Sequence, residues 1–351
     1  MLIKTVVLSG GGIDGAMFVG AIRRLEEEAV AGGPYAICKV RKFVGCSIGA
    51  IIALFLAMGL TSHEIEQRML EGFKSGALSR LNLVNLLSAP TSLGIDDGTS
   101  IVNWVAAAMV DRGIDANITF RRFAALTGND LIIAVTNLTR CQRELMSLAT
   151  SGDVPVMLAV RMSMSLPVLF TPVVWNNCVY VDGAVMDVCP MSHTRPPATC
   201  TNSTTCTAST TSTASTASTT STTSTTADVA AAAAEAEGGT LVLNLVICEA
   251  ASSAQPSVAS VPDVSFQTYM KLLYRVIIAR QHSMPCANTA GRAHVHVIDM
   301  PSLFMSADCP IKFNVASMQI DVMKNTEDAA LRRFIESGYS SVCSFLRTCA
   351  A

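Results

Sequence analysis

The chain has 351 residues, of which 50% are hydrophobic and 15% charged, and its formal net charge at pH 7 is −2. Soluble proteins usually contain about 25% charged residues, so this composition indicates a large buried core or contact with lipid. The basic residues are scattered along the chain, which argues against DNA or RNA as a partner. The length fits one large α/β domain.

Neither a membrane-spanning segment nor an export signal is evident. The longest uninterrupted apolar run, Gly49 to Leu60, is shorter than the roughly 20 residues that a spanning helix needs. Met1 to Leu8 lacks the basic start and the small-residue cleavage site of a signal peptide. The twelve cysteines include no C-x-x-C pair, which in a chain of this length favours free thiols in a reducing compartment. We therefore expect a cytoplasmic protein.

Hydrophobic patterns alternate between strand and helix periodicity over the first 190 residues. The predicted strands are Leu2 to Leu8, Val40 to Val44, Leu131 to Val135 and Cys178 to Val181, the last of which ends at Asp182. The predicted helices are Ala16 to Val30, Ala50 to Met58, Ser62 to Phe73, Thr99 to Val110, Phe120 to Leu126 and Val154 to Met164. This alternation predicts a mainly parallel central sheet between helical layers, a three-layer α/β/α fold.

The remaining sequence contains a low-complexity tract. Residues from about 199 to 238 are almost all Ser, Thr, Ala and Gly, which cannot build a core and predict a disordered insertion. Further elements are predicted after it, at Thr240 to Ile247, Val264 to Arg280, Ala293 to Ile298 and Thr326 to Ser337. We expect residues 1–351 to form one domain that the insertion interrupts. The apolar stripe on the helix at 264–280 fits either a core-covering helix or one that docks on a membrane surface.

Residues 45–49 read Gly-Cys-Ser-Ile-Gly, a G-x-S-x-G motif between a predicted strand and a predicted helix. In a nucleophile elbow, the serine sits at a strained strand-to-helix corner, and flanking glycines allow the backbone to approach closely. The following helix directs N–H groups and its positive dipole end towards developing negative charge. Ser47 is therefore the candidate nucleophile, with Gly45 and Gly49 supporting the turn.

Three glycines, Gly10, Gly11 and Gly12, follow the first strand directly. Their N–H groups fit an oxyanion hole. With Gly15, the same stretch also fits the dinucleotide fingerprint G-x-G-x-x-G. A dinucleotide site expects an acidic residue about 20 residues further on, at the end of the next strand, whereas that strand ends at Ser47. The oxyanion interpretation is therefore preferred.

The order of three segments, SGGGIDG, GCSIG and VDGA, resembles the patatin-like phospholipase family. Residues 159–170, AVRMSMSLPVLF, are similar to the small-residue and proline segment before the aspartate strand of that family, and the resemblance covers roughly residues 2–190. It implies a patatin-like fold and a dyad in which Asp182, followed by Gly183, accepts the proton of Ser47. It also implies hydrolysis of lipid acyl esters through an acyl-enzyme, without a cofactor or metal, and contact with a membrane surface.

The chain departs from the family pattern at Asp14, where the glycine loop usually carries Arg or Lys. An acid near a helix N-terminus favours the helix dipole, but it would repel an oxyanion or a phosphate head group. We expect reduced or altered activity, and a catalytically silent lipid-binding relative is the alternative.

The aspartate and the late histidines each allow a second interpretation. Asp182 with its glycine also fits a hairpin turn. A Ser-Asp-His triad would need a histidine late in the chain, where His282, His294 and His296 are the candidates. Since His294 and His296 lie on one face of an apparent strand, structural histidines are the preferred interpretation, and the pair lacks further ligands for a metal.

Overall fold

The structure, a computed structural model, describes residues 3–33, 35–78, 93–191, 239–246, 295–301, 311–314, 319–322 and 327–350. The insertion predicted at about 199–238, the helix predicted at 264–280, and His282 and His294 lie outside the described residues. The organisation of the chain as one domain with an insertion therefore stays a prediction.

The described residues form alternating strands and helices. The strands are β1 (Ile3–Leu8), β2 (Lys42–Cys46), β3 (Gly94–Asp96), β4 (Asp130–Asn137), β5 (Gln142–Met146), β6 (Val168–Phe170), β7 (Val173–Trp175), β8 (Cys178–Asp182), β9 (Gly239–Val246), β10 (Val295–Pro301), β11 (Ile311–Asn314) and β12 (Gln319–Val322). The helices are α1 (Ala16–Val30), α2 (Ile48–Ala57), α3 (Ser62–Ser75), α4 (Thr99–Asp111), α5 (Phe120–Thr127), α6 (Leu148–Ser151), α7 (Val156–Ser163) and α8 (Glu327–Ala350). The predicted elements that fall on described residues are present, with ends shifted by a few residues. The main difference is α8, which the pattern ends at Ser337 and the structure continues to Ala350.

The central sheet has the strand order β10-β9-β1-β2-β4-β8-β7, and β5 also pairs with β4. The strands from β10 to β4 are parallel to one another, whereas β8, β7 and β5 pair antiparallel. The prediction of a mainly parallel sheet is confirmed. Parallel register places the ends of β1 and β2 at one edge, since Leu8 pairs with Gly45. The glycine loop and Ser47, which follow these strands, therefore meet there.

Both faces of this sheet are buried. Because successive side chains of a strand point to opposite faces, Val6 and Leu8 of β1 join the main hydrophobic core, which includes Phe18 of α1 and Phe55 of α2. Val7 belongs to a separate buried cluster made by side chains of β1, β2, β4 and β9. The architecture is thus the expected mixed α/β fold, with a mostly parallel sheet flanked by helices.

Helices α1 and α8 pack closely through glycines. A Cβ atom added to Gly20 would lie 1.7 Å from the carbonyl oxygen of Ile335, and one added to Gly338 would lie 1.9 Å from that of Met17. These two positions allow the helix backbones to touch. Within the described residues, no helix combines the length and the apolar character needed to cross a bilayer.

Candidate active site

Ser47 occupies a sharp corner between β2 and α2. It is the N-cap of α2 and has φ 55° and ψ −126°, a conformation that non-glycine residues rarely adopt. A Cβ atom on Gly45 would lie 2.2 Å from the carbonyl oxygen of Gly49, and one on Gly49 would lie 2.4 Å from that of Leu8. The two motif glycines are therefore required sterically, because the corner folds back onto the end of β1.

Asp182 ends β8 and faces Ser47. The Ser47 hydroxyl donates a hydrogen bond of 2.7 Å to Asp182 Oδ2, and the N–H of Ala184 donates one of 2.8 Å to Oδ1. Asp182 also caps the 3-10 turn Gly183–Val185, so the residues after it do not form the hairpin turn that their sequence also fits. A Cβ atom on Gly183 would lie 2.4 Å from the carbonyl oxygen of Ala134 on β4, so this glycine lets β8 end against the sheet.

The carboxyl of Asp182 is 1% exposed, and this burial sets its acidity. Burial raises the pKa of Asp182 from 3.8 to about 6, against the lowering effect of hydrogen bonds from Ser47, Ala184 and Cys46. The thiol of Cys46 lies 3.9 Å from Asp182 Oδ1. Burial, followed by the charges of Asp182 and Asp187, raises the pKa of Cys46 well above its usual value. At neutral pH, Asp182 is therefore an ionised carboxylate next to two protonated donors.

The glycine loop lies directly against the serine. A Cβ atom on Gly10 would be 3.4 Å from the Cβ of Ser47, and the N–H of Gly10 donates to the carbonyl of Val188 at 2.8 Å. That bond occupies the Gly10 N–H, which the sequence suggests as an oxyanion donor, and Gly10 brings the loop close to Ser47. No residue in the described part of the chain accepts a hydrogen bond from the N–H of Gly11, Gly12 or Ile48.

Ile48 is a further candidate donor, not named among the residues predicted from the sequence. It is the first residue of α2, where backbone N–H groups have no partner within the helix. The nucleophile-elbow motif itself contains the signal, because the residue after the serine is a usual oxyanion donor in such turns. Gly15 packs the glycine loop onto this residue, since a Cβ atom there would lie 2.2 Å from Cγ1 of Ile48.

Asp14 lies in the 3-10 turn Gly12–Gly15, directly before α1. Its N–H donates to the carbonyl of Gly11 at 3.2 Å, and the residue is only 3% exposed. The acidic side chain that departs from the family pattern is therefore buried next to the glycine loop and is not displayed at the surface.

His296 lies away from the serine. It is part of β10, which is separated from β2 by β9 and β1. Its ring packs edge-on against Tyr35, at a centroid distance of 5.0 Å, and against Phe345. These contacts agree with a structural histidine. Among the described residues, no group of His, Cys, Asp or Glu is arranged to hold a metal ion.

Comparison with known proteins gives one family over much of the chain. Residues 6–195, more than half of the sequence, match the family described as patatin-like phospholipase. The chain is 31% identical over 190 residues to the probable lipid hydrolase 463L of Invertebrate iridescent virus 6, a match that covers 54% of this chain and 62% of that protein. It is 30% identical over 201 residues to the uncharacterized protein YqhO of Bacillus subtilis (strain 168), with 53% and 64% covered.

In both relatives, the chain therefore spans less than two thirds of the protein it matches. Among solved structures, VipD from Legionella pneumophila aligns with a TM-score of 0.46 at 15% identity, covering 99% of this chain and 67% of that one.

Proposed function

The chain belongs to the patatin-like phospholipase family, and on that basis we propose that it hydrolyses acyl esters of lipids with Ser47 as nucleophile and Asp182 as base. The observation that carries the proposal is the 2.7 Å hydrogen bond from the Ser47 hydroxyl to Asp182. A base must reach the proton that it removes, and this distance permits direct transfer without a histidine.

The proposed reaction has two halves. Asp182 takes the hydroxyl proton while Ser47 Oγ bonds to the ester carbonyl carbon, and the π electrons of the carbonyl move onto its oxygen. The C–O bond to the alcohol then breaks, and the departing alcohol takes the proton from Asp182. Water attacks the resulting acyl-enzyme in the same way, which releases the fatty acid and restores the Ser47 hydroxyl.

The oxyanion of each half-reaction needs hydrogen-bond donors. The N–H groups of Gly11, Gly12 and Ile48 are the proposed donors, since Gly11 and Gly12 follow Gly10, which lies against Ser47, Ile48 follows Ser47, and no described residue accepts from them. Removing one such donor typically lowers kcat by about 10²- to 10³-fold. A buried aspartate with a pKa of about 6 is also a better base than an exposed one, because its pKa lies closer to neutral pH.

The proposed substrates are phospholipids or other lipid acyl esters, taken from a membrane surface with which the protein makes transient contact. The name of the viral relative, probable lipid hydrolase, supports a lipid substrate. Met186, shortly after Asp182 in sequence, is also an exposed apolar side chain, of a kind that favours contact with lipid.

Fluorophosphonate labelling combined with hydrolysis of p-nitrophenyl butyrate and of a phospholipid tests this proposal. Wild-type protein is expected to be labelled and to hydrolyse ester, Ser47→Ala to do neither, and Asp182→Asn to lose at least about 100-fold in kcat. Turnover that survives Asp182→Asn but is abolished by His282→Ala would favour the triad. Neither labelling nor turnover in the wild type would favour the silent relative.

A further inference from the structure

The end of α7 and the two residues after it, Ser163 to Ser165, contact both members of the proposed dyad. We infer that Ser163 is a positioning residue which, together with the main chain of Ser165, holds Ser47 and Asp182 at the distance needed for proton transfer. The inference rests on the proposed function of the dyad. It concerns a side chain that touches neither substrate nor the reacting atoms and acts through the backbone of the nucleophile.

Ser163 joins two backbone groups that the sheet alone leaves unconnected. Its hydroxyl oxygen accepts a hydrogen bond of 2.9 Å from the N–H of Ser47, and the same hydroxyl donates one of 2.7 Å to the carbonyl of Ala134. The residue has no exposed surface, so both bonds are shielded from water. Because the positive φ of Ser47 is strained, the corner stays in this conformation only where neighbouring contacts hold it.

The other half of the dyad is attached to the same turn. The N–H of Asp182 donates a hydrogen bond of 2.9 Å to the carbonyl of Ser165. Ser163 and Ser165 are two residues apart, so the backbones of the nucleophile and of the base are both anchored on one short segment. A shift of this segment would move both partners, whereas loss of the Ser163 hydroxyl would release Ser47 alone.

Arg161 fixes the turn from its outer side. Its guanidinium donates to the carbonyl of Asp97 at 2.8 Å and 3.1 Å, to the carbonyl of Thr171 at 2.9 Å, and to the hydroxyl of Ser165. Burial lowers the pKa of Arg161, and the nearby carboxylates of Asp96 and Asp97 oppose that effect. The guanidinium stays charged, as arginine does in proteins, and ties the turn to the segments that follow β3 and β6.

The kinetic consequence follows from geometry. A displacement of about 1 Å in a reacting group can lower the rate about 100-fold without any change in the catalytic groups themselves. Ser163→Ala is therefore expected to lower kcat for p-nitrophenyl butyrate about 100-fold and to slow fluorophosphonate labelling similarly, with KM within about twofold of the wild type. Ser163→Thr keeps the hydroxyl and is expected to recover most of the loss.

The matched control is Ser62→Ala. Like Ser163, Ser62 is buried and its hydroxyl donates a hydrogen bond, in this case to the side chain of Glu26. It lies at the start of α3 and takes no part in the dyad. It reports how a similar loss of stability by itself affects turnover. An equal loss of kcat in Ser62→Ala, or in Ser163→Thr, would overturn the positioning role, as would wild-type kcat in Ser163→Ala.

A second measurement does not depend on activity. Hydrogen exchange of the Ser47 amide, measured on the full-length protein without substrate, is expected to be faster in Ser163→Ala than in Ser62→Ala, and an unchanged rate would overturn the inference. If Ser163→Ala does not fold, Ser163→Cys is judged by the same criteria, with an intermediate kcat expected from its weaker hydrogen bond. Failure of the wild type to label or turn over would refute the function, whereas an active wild type with unaffected variants would refute only the role of Ser163.

Discussion

Replacing Asp182 by asparagine is expected to stabilise the folded protein above pH 6 while it removes the proposed base. Asparagine has nearly the same shape as aspartate. Its oxygen can still accept a hydrogen bond from the N–H of Ala184, and its amide group can donate one to the oxygen of Ser47. Asparagine can therefore still form a hydrogen bond with each of these two residues. The expected gain comes from removing a charge that the folded protein holds almost entirely out of water.

The size and sign of this gain follow from the pKa of Asp182. Folding raises that pKa from 3.8 to about 6, so between these values the folded state binds a proton that the unfolded chain releases. The stabilisation from this extra proton is fully present below about pH 4 and is lost as the pH rises through 6. At about 1.4 kcal/mol per pK unit, the free energy of unfolding of the wild type falls by about 3 kcal/mol as the pH rises from below 3.8 to above 6. That of the asparagine variant does not fall in this way.

Urea denaturation of both proteins between pH 4 and pH 8 measures this difference. The free energy of unfolding of the variant minus that of the wild type is expected to rise by about 2 to 3 kcal/mol from pH 4 to pH 8. Asp153→Asn is the control, because Asp153 is exposed and Arg121 lowers its pKa, so it gives no gain at high pH. A difference that is the same at every pH would refute the assignment of a buried, charged Asp182.

Two further predictions concern the catalytic pH profile and the packing of α1 on α8. Asp182 must be ionised to accept a proton, so kcat/KM for p-nitrophenyl butyrate is expected to rise with an apparent pKa of about 6 and to level off above it. A profile that is flat from pH 4 to 8 would contradict this role. Gly338→Ala is expected to destabilise the protein by about 1–3 kcal/mol in urea, because the added Cβ would meet the carbonyl of Met17, although helix propensity alone predicts a gain of about 1 kcal/mol. Gly113→Ala is the control for backbone strain, because Gly113 has a positive φ and a Cβ added there would meet no atom within 4 Å. A stabilised Gly338→Ala protein would show that α1 and α8 do not touch.

Local sequence signals predicted most of the parallel core and singled out Ser47 and Asp182, the residues of the proposed dyad. Ser47 follows a buried strand within a five-residue motif, and Asp182 ends another buried strand, so both positions could be recognised from short segments. Two strands of the central sheet were missed for different reasons. The outer half of β5 is exposed and polar, and β7 has only three residues, so neither gives a clear periodic pattern.

Contacts between distant segments could not be predicted in the same way. Ser163 meets Ser47 across 116 residues of sequence, and nothing in the local pattern of either residue encodes that hydrogen bond. The same holds for Gly10, whose N–H donates to the carbonyl of Val188. The helix predicted at Thr326 to Ser337 continues to Ala350 as α8, and Gly338, just past the predicted end, lets α8 touch α1.

The central claim, that Ser47 forms the acyl-enzyme, is tested most directly by trapping that intermediate. Full-length protein mixed with p-nitrophenyl butyrate and quenched in acid within the first turnovers can be digested and analysed by mass spectrometry. We predict a butyryl group on the peptide that contains Ser47, and none on the same peptide of Ser47→Ala. A butyryl group on a different residue, or ester turnover that persists in Ser47→Ala, would contradict the account.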